Sequence, residues 1–369
     1  MPPRPQPPVP LADLIAAHKA KGVKYGLAAY VDIHGVSKCK VVPIDHWPQM
    51  FAGSELFTGA ALDGVPQQVN EEEVSAHPDP ATATICSWRP EVAWFASDLW
   101  CHGKPFPACS RVILKQQMEA AKQMGFTFNL GIEAEFFVLK DGENGKPIPS
   151  GARDGLAKAA YDVVGILDSY PWLDELVTAM NDLGWDVYSF DHEDAPGQFE
   201  IDFDYADALT TADRLTYFRL LAKEITGKHG FYPTFMPKPF ADLTGSGSHH
   251  HLSLWDIEGK DNLFLDKSDP RGLSSLALSF LAGILDQPRH QQLQAPDPAQ
   301  CCFRLHLGAD LCLLRQQQSD QHAAHPAGRR ASRVPGGRHR LQSIPGRGAD
   351  TRGRPRRHPR EPRPRRAEH

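Results

Sequence analysis

Residues 238–253 read Lys238-Pro239-Phe240-Ala241-Asp242-Leu243-Thr244-Gly245-Ser246-Gly247-Ser248-His249-His250-His251-Leu252-Ser253, and the fold is decided there. Gly245 and Gly247 make a loop whose backbone N–H groups can approach an anionic ligand closely, because no Cβ intervenes. The loop runs into a stretch with strand alternation, so His249, His251 and Ser253 share one face while His250 and Leu252 take the other. One face therefore offers two imidazoles and a hydroxyl, groups suited to a metal ion and to phosphate oxygens. The same residues also admit a soft-metal site, a run of hydrogen-bonded histidines or a plain flexible Gly-Ser loop.

Two upstream segments carry matching chemistry. In Gly131-Ile132-Glu133-Ala134-Glu135-Phe136-Phe137 a strand would point Glu133 and Glu135 the same way, and paired carboxylates repel unless a cation neutralises them. Alone, this also reads as a solvated strand face. In His192-Glu193-Asp194-Ala195-Pro196-Gly197-Gln198-Phe199-Glu200 the Pro-Gly pair forces a turn that lets Glu193 and Glu200 approach, although a polar surface turn reads the same way. Together the clusters supply four glutamates and a histidine with no cysteine, a set that suits Mg²⁺ or Mn²⁺ over a thiolate zinc site. Two such ions beside phosphate-binding groups point to phosphoryl transfer.

Around these segments the periodicity is mixed. Leu11 to Ala20 has a helical stripe, Tyr25–Ile33 and Lys38–Ile44 form a hairpin about His34-Gly35, and Thr82–Ala96 repeats the pattern with a break at Arg89-Pro90. Cys101–Cys109, with Gly103, Pro105 and Pro107, is the expected boundary. Beyond it the spacing predicts a helix over Arg111–Met124 capped by Ser110, a long strand Phe126–Leu139, and a helix Leu173–Leu183. A strand Trp185–Phe190, an amphipathic helix Thr211–Lys228, strands at Phe231–Pro237 and His249–Trp255, and a helix starting at Gly272 follow. The expected division is a Pro-rich start 1–10, a small hairpin-built domain 11–103, a larger domain 104–286 and a tail 287–369.

The 369 residues suffice for two domains, and 41% hydrophobic with 23% charged residues is globular composition. No apolar run approaches the ~20 residues of a membrane helix. The opening MPPRPQPPVP is too proline-rich for a secretory leader, and seven irregularly spaced cysteines are no disulfide framework. A cytoplasmic protein without membrane partners is expected. The net charge of −5 joins a body of −16 to a tail of +11: residues 287–369 hold 17 Arg, no Lys and Phe303 as sole aromatic. Such a tail is expected to be disordered.

With these motifs in hand, the sequence resembles the glutamine synthetase family over roughly residues 11–286. The resemblance rests on NEEEV (Asn70 to Val74), GIEAEFF, HEDAPGQFE and FMPKPFADLTGSGSHHHLSL (Phe235 to Leu254), in the family's order. It implies an α+β fold: a β-grasp N-terminal domain, then a catalytic domain with a curved antiparallel sheet, assembled as homo-oligomeric hexameric rings. It implies one metal ion on Glu135, Glu193 and Glu200, and a second on Glu133, His249 and a glutamate from the C-terminal part. His251 and Ser253 would meet ATP phosphates, and Thr244 and Gly245 would line the glutamate pocket. The implied reaction is ATP-dependent amide formation: the γ-carboxylate of glutamate is phosphorylated, and ammonia or a small amine attacks the acyl phosphate.

Two departures bear on function. The family's Phe-Asp-Gly, whose aspartate is associated with deprotonating ammonium, is Phe57-Thr58-Gly59 here; Glu73 matches a second acidic position of that region and is the expected catalytic carboxylate. This makes a γ-glutamylmethylamide synthetase an alternative to glutamine synthetase, and a non-catalytic nucleotide-binding member a further one. The tail also lacks the family's Asn-Ser-Tyr-Lys-Arg, Asn-Arg-Thr, Glu-x-Arg and Asn-Pro-Tyr-Leu segments. Permitted codons for its residues, read one nucleotide later, restore all four in order; His290–Gln300, for instance, becomes INSYKRLIPR. Residues after about Asp286 are therefore expected to be an out-of-frame translation rather than an Arg-rich nucleic-acid arm, leaving a chain of low synthetase activity. DNA sequence across codons 280–295 decides this.

Overall fold

The computed structural model describes residues 9–286 and the backbone of two strands, 303–307 and 311–314. The N-terminal part holds α1 (Leu11–Ala20), β1 (Tyr25–Val31), β2 (Ser37–Pro43), α2 (Trp47–Phe51), β3 (Glu55–Phe57), β4 (Val74–Pro78), β5 (Thr84–Ile85), β6 (Val92–Cys101) and β7 (Lys104–Pro105). These strands form one sheet in the order β2-β1-β6-β4-β3, with β5 and β7 also on β6. Its centre is a parallel pair, β1 on β6, flanked by antiparallel β2 and β4, which is a β-grasp arrangement. Trp47, Met50 and Phe95, all fully buried, fill its core. At the start of the Cys101–Cys109 stretch His102 and Gly103 take left-handed φ, and β7 folds back onto β6.

The second sheet is built on β8 (Phe126–Asp141), reached through α3 (Ser110–Gln123). There follow β9 (Pro147–Pro149), α4 (Val163–Asp182), β10 (Val187–His192), β11 (Gln198–Phe203), β12 (Ala206–Asp207), α5 (Ala208–Lys228), β13 (Tyr232–Thr234), β14 (Ser248–Asp256) and α6 (Ser275–Asp286). The strand order is β10-β11-β8-β14-β15-β16, where β15 is Phe303–Leu307 and β16 is Leu311–Leu314, and β9, β12 and β13 also pair with β8. Every pairing is antiparallel except β14 with β15.

Alternation along β8 sorts its two faces. Ile132, Ala134, Phe136 and Val138 pack with Phe199, Ile201 and Phe203 of β11 against Trp172 and Leu176 of α4 and Phe218 and Leu221 of α5. Phe136 meets Phe218 edge-on at 5.5 Å between ring centres, and Trp172 meets Phe199 at 5.0 Å. Each such buried ring contributes about 2–3 kcal/mol by leaving water. Glu133 and Glu135 therefore lie on the face away from the helices.

The structure corrects three expectations. Ser110 opens α3 instead of capping it; Cys109 is the N-cap and makes no side-chain capping hydrogen bond. α4 begins ten residues before the expected Leu173, capped by Asp162, and runs through Pro171. α5 begins at Ala208, where Asp207 accepts a hydrogen bond from the Thr210 N–H. Within 287–369, expected to be disordered, the described residues are the two short strands β15 and β16, which extend the sheet from the β14 edge. The rest of the tail, and with it most of the out-of-frame reading, lies outside the described residues, as do residues 1–8.

The N-terminal sheet is held to the helices by Arg111 of α3, 9% exposed. Its guanidinium reaches Asp98 of β6 at 2.6 Å, Asp79 at 2.9 Å and Asp213 of α5 at 3.0 Å. Among the described residues no helix is long and apolar enough to cross a membrane.

Candidate active site

Three strands bring the predicted carboxylates together. β14 lies antiparallel to β8 in a register that sets His249 opposite Glu133, and β11 flanks β8 on its other edge with Glu200 opposite Glu135. Residues directly opposite share a face, so Glu133, Glu135, Glu200 and His249 converge without any loop to place them. His249 Nδ1 is 3.0 Å from Glu133 Oε2 and 3.8 Å from Glu200 Oε2, and its Nε2 is 3.7 Å from Glu135 Oε1. His251, one step along the same face, lies 2.6 Å by Nε2 from Glu133 Oε1.

Glu193 arrives on the turn joining β10 to β11. Gly197 there has φ +76°, and a Cβ would meet the Val138 carbonyl oxygen at 3.1 Å, so the expected Pro-Gly turn depends on glycine. The outcome is two triads with ligand atoms mutually within 4.8 Å: Glu135, Glu193 and Glu200, and Glu133, Glu200 and His249. The first is the predicted set. The second holds the predicted Glu133 and His249 with Glu200, so this side chain belongs to both, and the carboxylate expected from the C-terminal part lies outside the described residues.

The glycine-rich loop closes over this cluster. Gly247 N–H donates to Glu135 Oε2 at 2.9 Å, and a Cβ on Gly247 would lie 2.6 Å from Glu135 Oε1. The anionic group that this loop approaches is thus a carboxylate of the protein itself. Gln198, named in the motif but given no role from sequence, donates to Glu135 Oε2 at 2.9 Å and to the Gly245 carbonyl at 3.1 Å, tying β11, β8 and the loop together. Thr244 donates to Asp194 Oδ2 at 2.5 Å. Ser253 accepts from Trp255 Nε1 at 2.9 Å. It lines a cavity of about 430 Å³ together with Glu133, His251, Tyr188, Tyr205 and Trp255, the last two with near-parallel rings 6.4 Å apart. Glu73 is not in this cluster: it lies just before β4 and accepts a 2.7 Å hydrogen bond from Thr58 Oγ1. A separate cavity of about 170 Å³ lies between β1, β6, α3 and α5, away from the carboxylates.

Electrostatics records the crowding. Burial, then the charges of Asp202 and Glu133, pushes Glu200 up to about 9. Burial, then Glu135 and Asp191, pushes Glu193 up to about 7. Burial raises Glu135 as well, while hydrogen bonds to His249 and His251 hold Glu133 well below the usual carboxylate range. Asp202, pushed up to about 6 chiefly by burial, and Asp191 extend the acidic face; neither was singled out in sequence. Glu200 Oε2, Asp191 Oδ1 and Asp202 Oδ1 are buried with no hydrogen-bond partner among the described residues. Buried oxygens that repel one another and lack donors fit a divalent cation, and an all-carboxylate and imidazole donor set fits a hard one.

Comparison with known proteins places the chain in a family. Residues 107–298 match the glutamine synthetase catalytic domain, and the chain belongs to the glutamine synthetase family. It is 42% identical over 270 residues to the glutamate–methylamine ligase of Methyloversatilis universalis, covering 72% of this chain and 60% of that protein. It is 37% identical over 276 residues to the glutamine synthetase of Rhizobium leguminosarum bv. phaseoli, covering 74% and 62%. A solved structure of the GmaS–ADP complex superposes with a TM-score of 0.72 at 38% identity, over 76% of this chain and 64% of that one. The chain thus spans about three fifths of the length of these curated relatives.

Proposed function

We propose that the chain derives from an ATP-dependent ligase that joins glutamate to ammonia or a small alkylamine through γ-glutamyl phosphate. The observation that carries this reading is the pair of triads sharing Glu200 across β8, β11 and β14. Glu135, Glu193 and Glu200 would hold one Mg²⁺ or Mn²⁺, and Glu133, His249 and Glu200 the second. When bound, such ions neutralise the polyphosphate and the charge that develops as the phosphoryl group moves. His251 and Ser253 would meet ATP phosphates at the mouth of the 430 Å³ cavity, whose Tyr205 and Trp255 rings suit a flat base. Thr244 and Gly245 would line the glutamate pocket, held there by Asp194 and Gln198.

Activation is needed because a carboxylate is a poor electrophile; phosphorylation gives it a leaving group. Glu73 would receive the amine's proton, serving the site of a neighbouring subunit if the chain forms the family's hexameric rings. The division into domains 11–103 and 104–286, and cytoplasmic residence, belong to the same reading. So does low turnover of this chain, because the tail's residues lack the family's later motifs.

The alkylamine reading is favoured by Thr58, which puts a neutral hydroxyl on Glu73 where the family's aspartate would add a second carboxylate. Phosphate release with glutamate and ATP, comparing ammonium with methylamine, tests the reading in this chain and in one with the frame restored after residue 286. The frame-restored chain is expected to turn over and this chain to be slow. Calorimetric ATP binding without turnover in both would mark the non-catalytic alternative.

A further inference from the structure

We propose that Asp154 is a positioning residue for Glu193, acting by clamping both ends of the turn that presents it. The inference rests on the reading that Glu135, Glu193 and Glu200 hold a divalent cation.

Asp154 lies 38 residues before His192 in sequence and in no motif. Its Oδ2 accepts from Gly197 N–H at 2.6 Å and lies 2.8 Å from His192 Nε2. These partners stand immediately after and before the Glu193–Pro196 stretch, so one carboxylate oxygen fixes where that stretch starts and where it ends. The other ring nitrogen, His192 Nδ1, is 2.8 Å from the Glu193 carbonyl oxygen. Both imidazole nitrogens thus face oxygen, and the ring cannot turn without losing a bond.

Packing removes what freedom is left. The His192 and Asp154 side chains are 0% and 1% exposed. Gly165 of α4 lies so close that a Cβ would meet His192 Cδ2 at 2.5 Å. The same loop adds two backbone bonds, Tyr161 N–H to the His192 carbonyl at 2.7 Å and Ala159 N–H to the Asp194 carbonyl at 3.3 Å. None of these contacts uses the Glu193 carboxylate, one oxygen of which accepts from the Asp194 N–H at 3.1 Å and which reaches within 4.8 Å of the Glu135 and Glu200 carboxylates.

A buried ion pair is an inefficient way to stabilise a fold, because desolvation offsets most of the attraction. Holding a ligand in register is a use that repays it, and partners that orient metal ligands typically alter affinity 10–100-fold when lost. Glu193 belongs to one triad only. A clamp on Glu193 must therefore affect one cation site and spare the other, which general loosening of the domain would not do.

The test is Mn²⁺ titration of the whole chain followed by electron paramagnetic resonance, with thermal melting of each metal-free variant. Wild type is expected to bind two ions. Asp154→Asn and Asp154→Ala are expected to weaken one of them at least about tenfold and leave the other within about twofold. Gly165→Ala, which displaces the His192 ring and leaves Asp154 in place, is expected to weaken the same ion and serves if the Asp154 variants fail to fold. Glu193→Gln should reproduce the loss, and Asp154→Asn combined with Glu193→Gln should be no worse than Glu193→Gln alone. Equal weakening of both ions, unchanged binding, or additive loss in the double variant overturns the proposal. A wild-type chain that binds no Mn²⁺ overturns the cation reading and the clamp with it.

Discussion

Glu200 sits directly opposite Glu135 across the β11–β8 ladder, two carboxylates on one face with the His249 ring 3.7 Å from Glu135 and 3.8 Å from Glu200. Like charges directly opposite destabilise a sheet, so without a bound cation this face keeps protons that the unfolded chain would release. Glu193 at about 7 and Glu200 at about 9 both lie above the ordinary glutamate value of 4.5.

The sign of the pH dependence follows. Between pH 7 and 9 the folded chain holds about one proton more than the unfolded chain on Glu200 alone, so raising pH favours unfolding by about 1.4 kcal/mol per pH unit. Thermal melting in chelator is expected to fall by about 2–4 °C per unit over that window. With saturating Mn²⁺ the slope should flatten, because the ion replaces the proton. A melting temperature that stays level from pH 7 to 9 in chelator contradicts the crowding argument.

Glu200→Gln should separate stability from binding. In chelator the variant has no proton on residue 200 to lose, so its melting temperature is expected to stay nearly level between pH 7 and 9, where that of the wild type falls. Because Glu200 belongs to both triads, the variant should lose more than about tenfold in affinity for both Mn²⁺ ions. Melting curves and Mn²⁺ titration on one preparation check both halves.

How much of this was legible depended on whether spacing alone fixed the geometry. The shared faces of Glu133 with Glu135, and of His249 with His251, follow from strand alternation, and the Pro196-Gly197 turn from its two residues. Strand register is not written in spacing: that β11 lies beside β8 with Glu200 against Glu135 depends on the packing of Phe199 and Ile201 on the helices. Hence the double membership of Glu200 was missed. The first turns of α4 were missed because Gly165 and Pro171 read as breakers; Gly165 is there for the His192 ring, and buried Trp172 and Leu173 hold the helix beyond Pro171. Asp154 carried no signal, since its partners lie far along the chain, and His192 and Gln198 were visible only as letters in a motif.

Arg111→Ala tests how the N-terminal sheet is joined to the helices. The substitution leaves Asp79, Asp98 and Asp213 facing one another at a half-buried site, with Lys115, 2.6 Å from Asp98, as the remaining ion-pair partner among the described residues. Breaking such a network costs about 3–5 kcal/mol, so the midpoint of urea unfolding should drop sharply. A loss below about 1 kcal/mol would class the cluster with surface ion pairs.

Thr58→Asp bears on the choice of amine. In the present arrangement the Thr58 hydroxyl donates to Glu73, so the pair presents one carboxylate partly occupied by that bond. An aspartate cannot donate; the bond is lost and a second negative charge stands beside Glu73, which favours a fully protonated ammonium ion over a methylated amine with one fewer N–H and an added apolar group. In the frame-restored chain the ratio of kcat/KM for methylamine to that for ammonium is therefore expected to fall about tenfold or more, a fraction of the roughly 10²–10⁴-fold that a positioned proton acceptor contributes in full. If Glu73 takes the amine's proton as proposed, Glu73→Gln should lower kcat/KM for both amines. An unchanged ratio in Thr58→Asp would move the choice of amine away from residues 57–59 and 73.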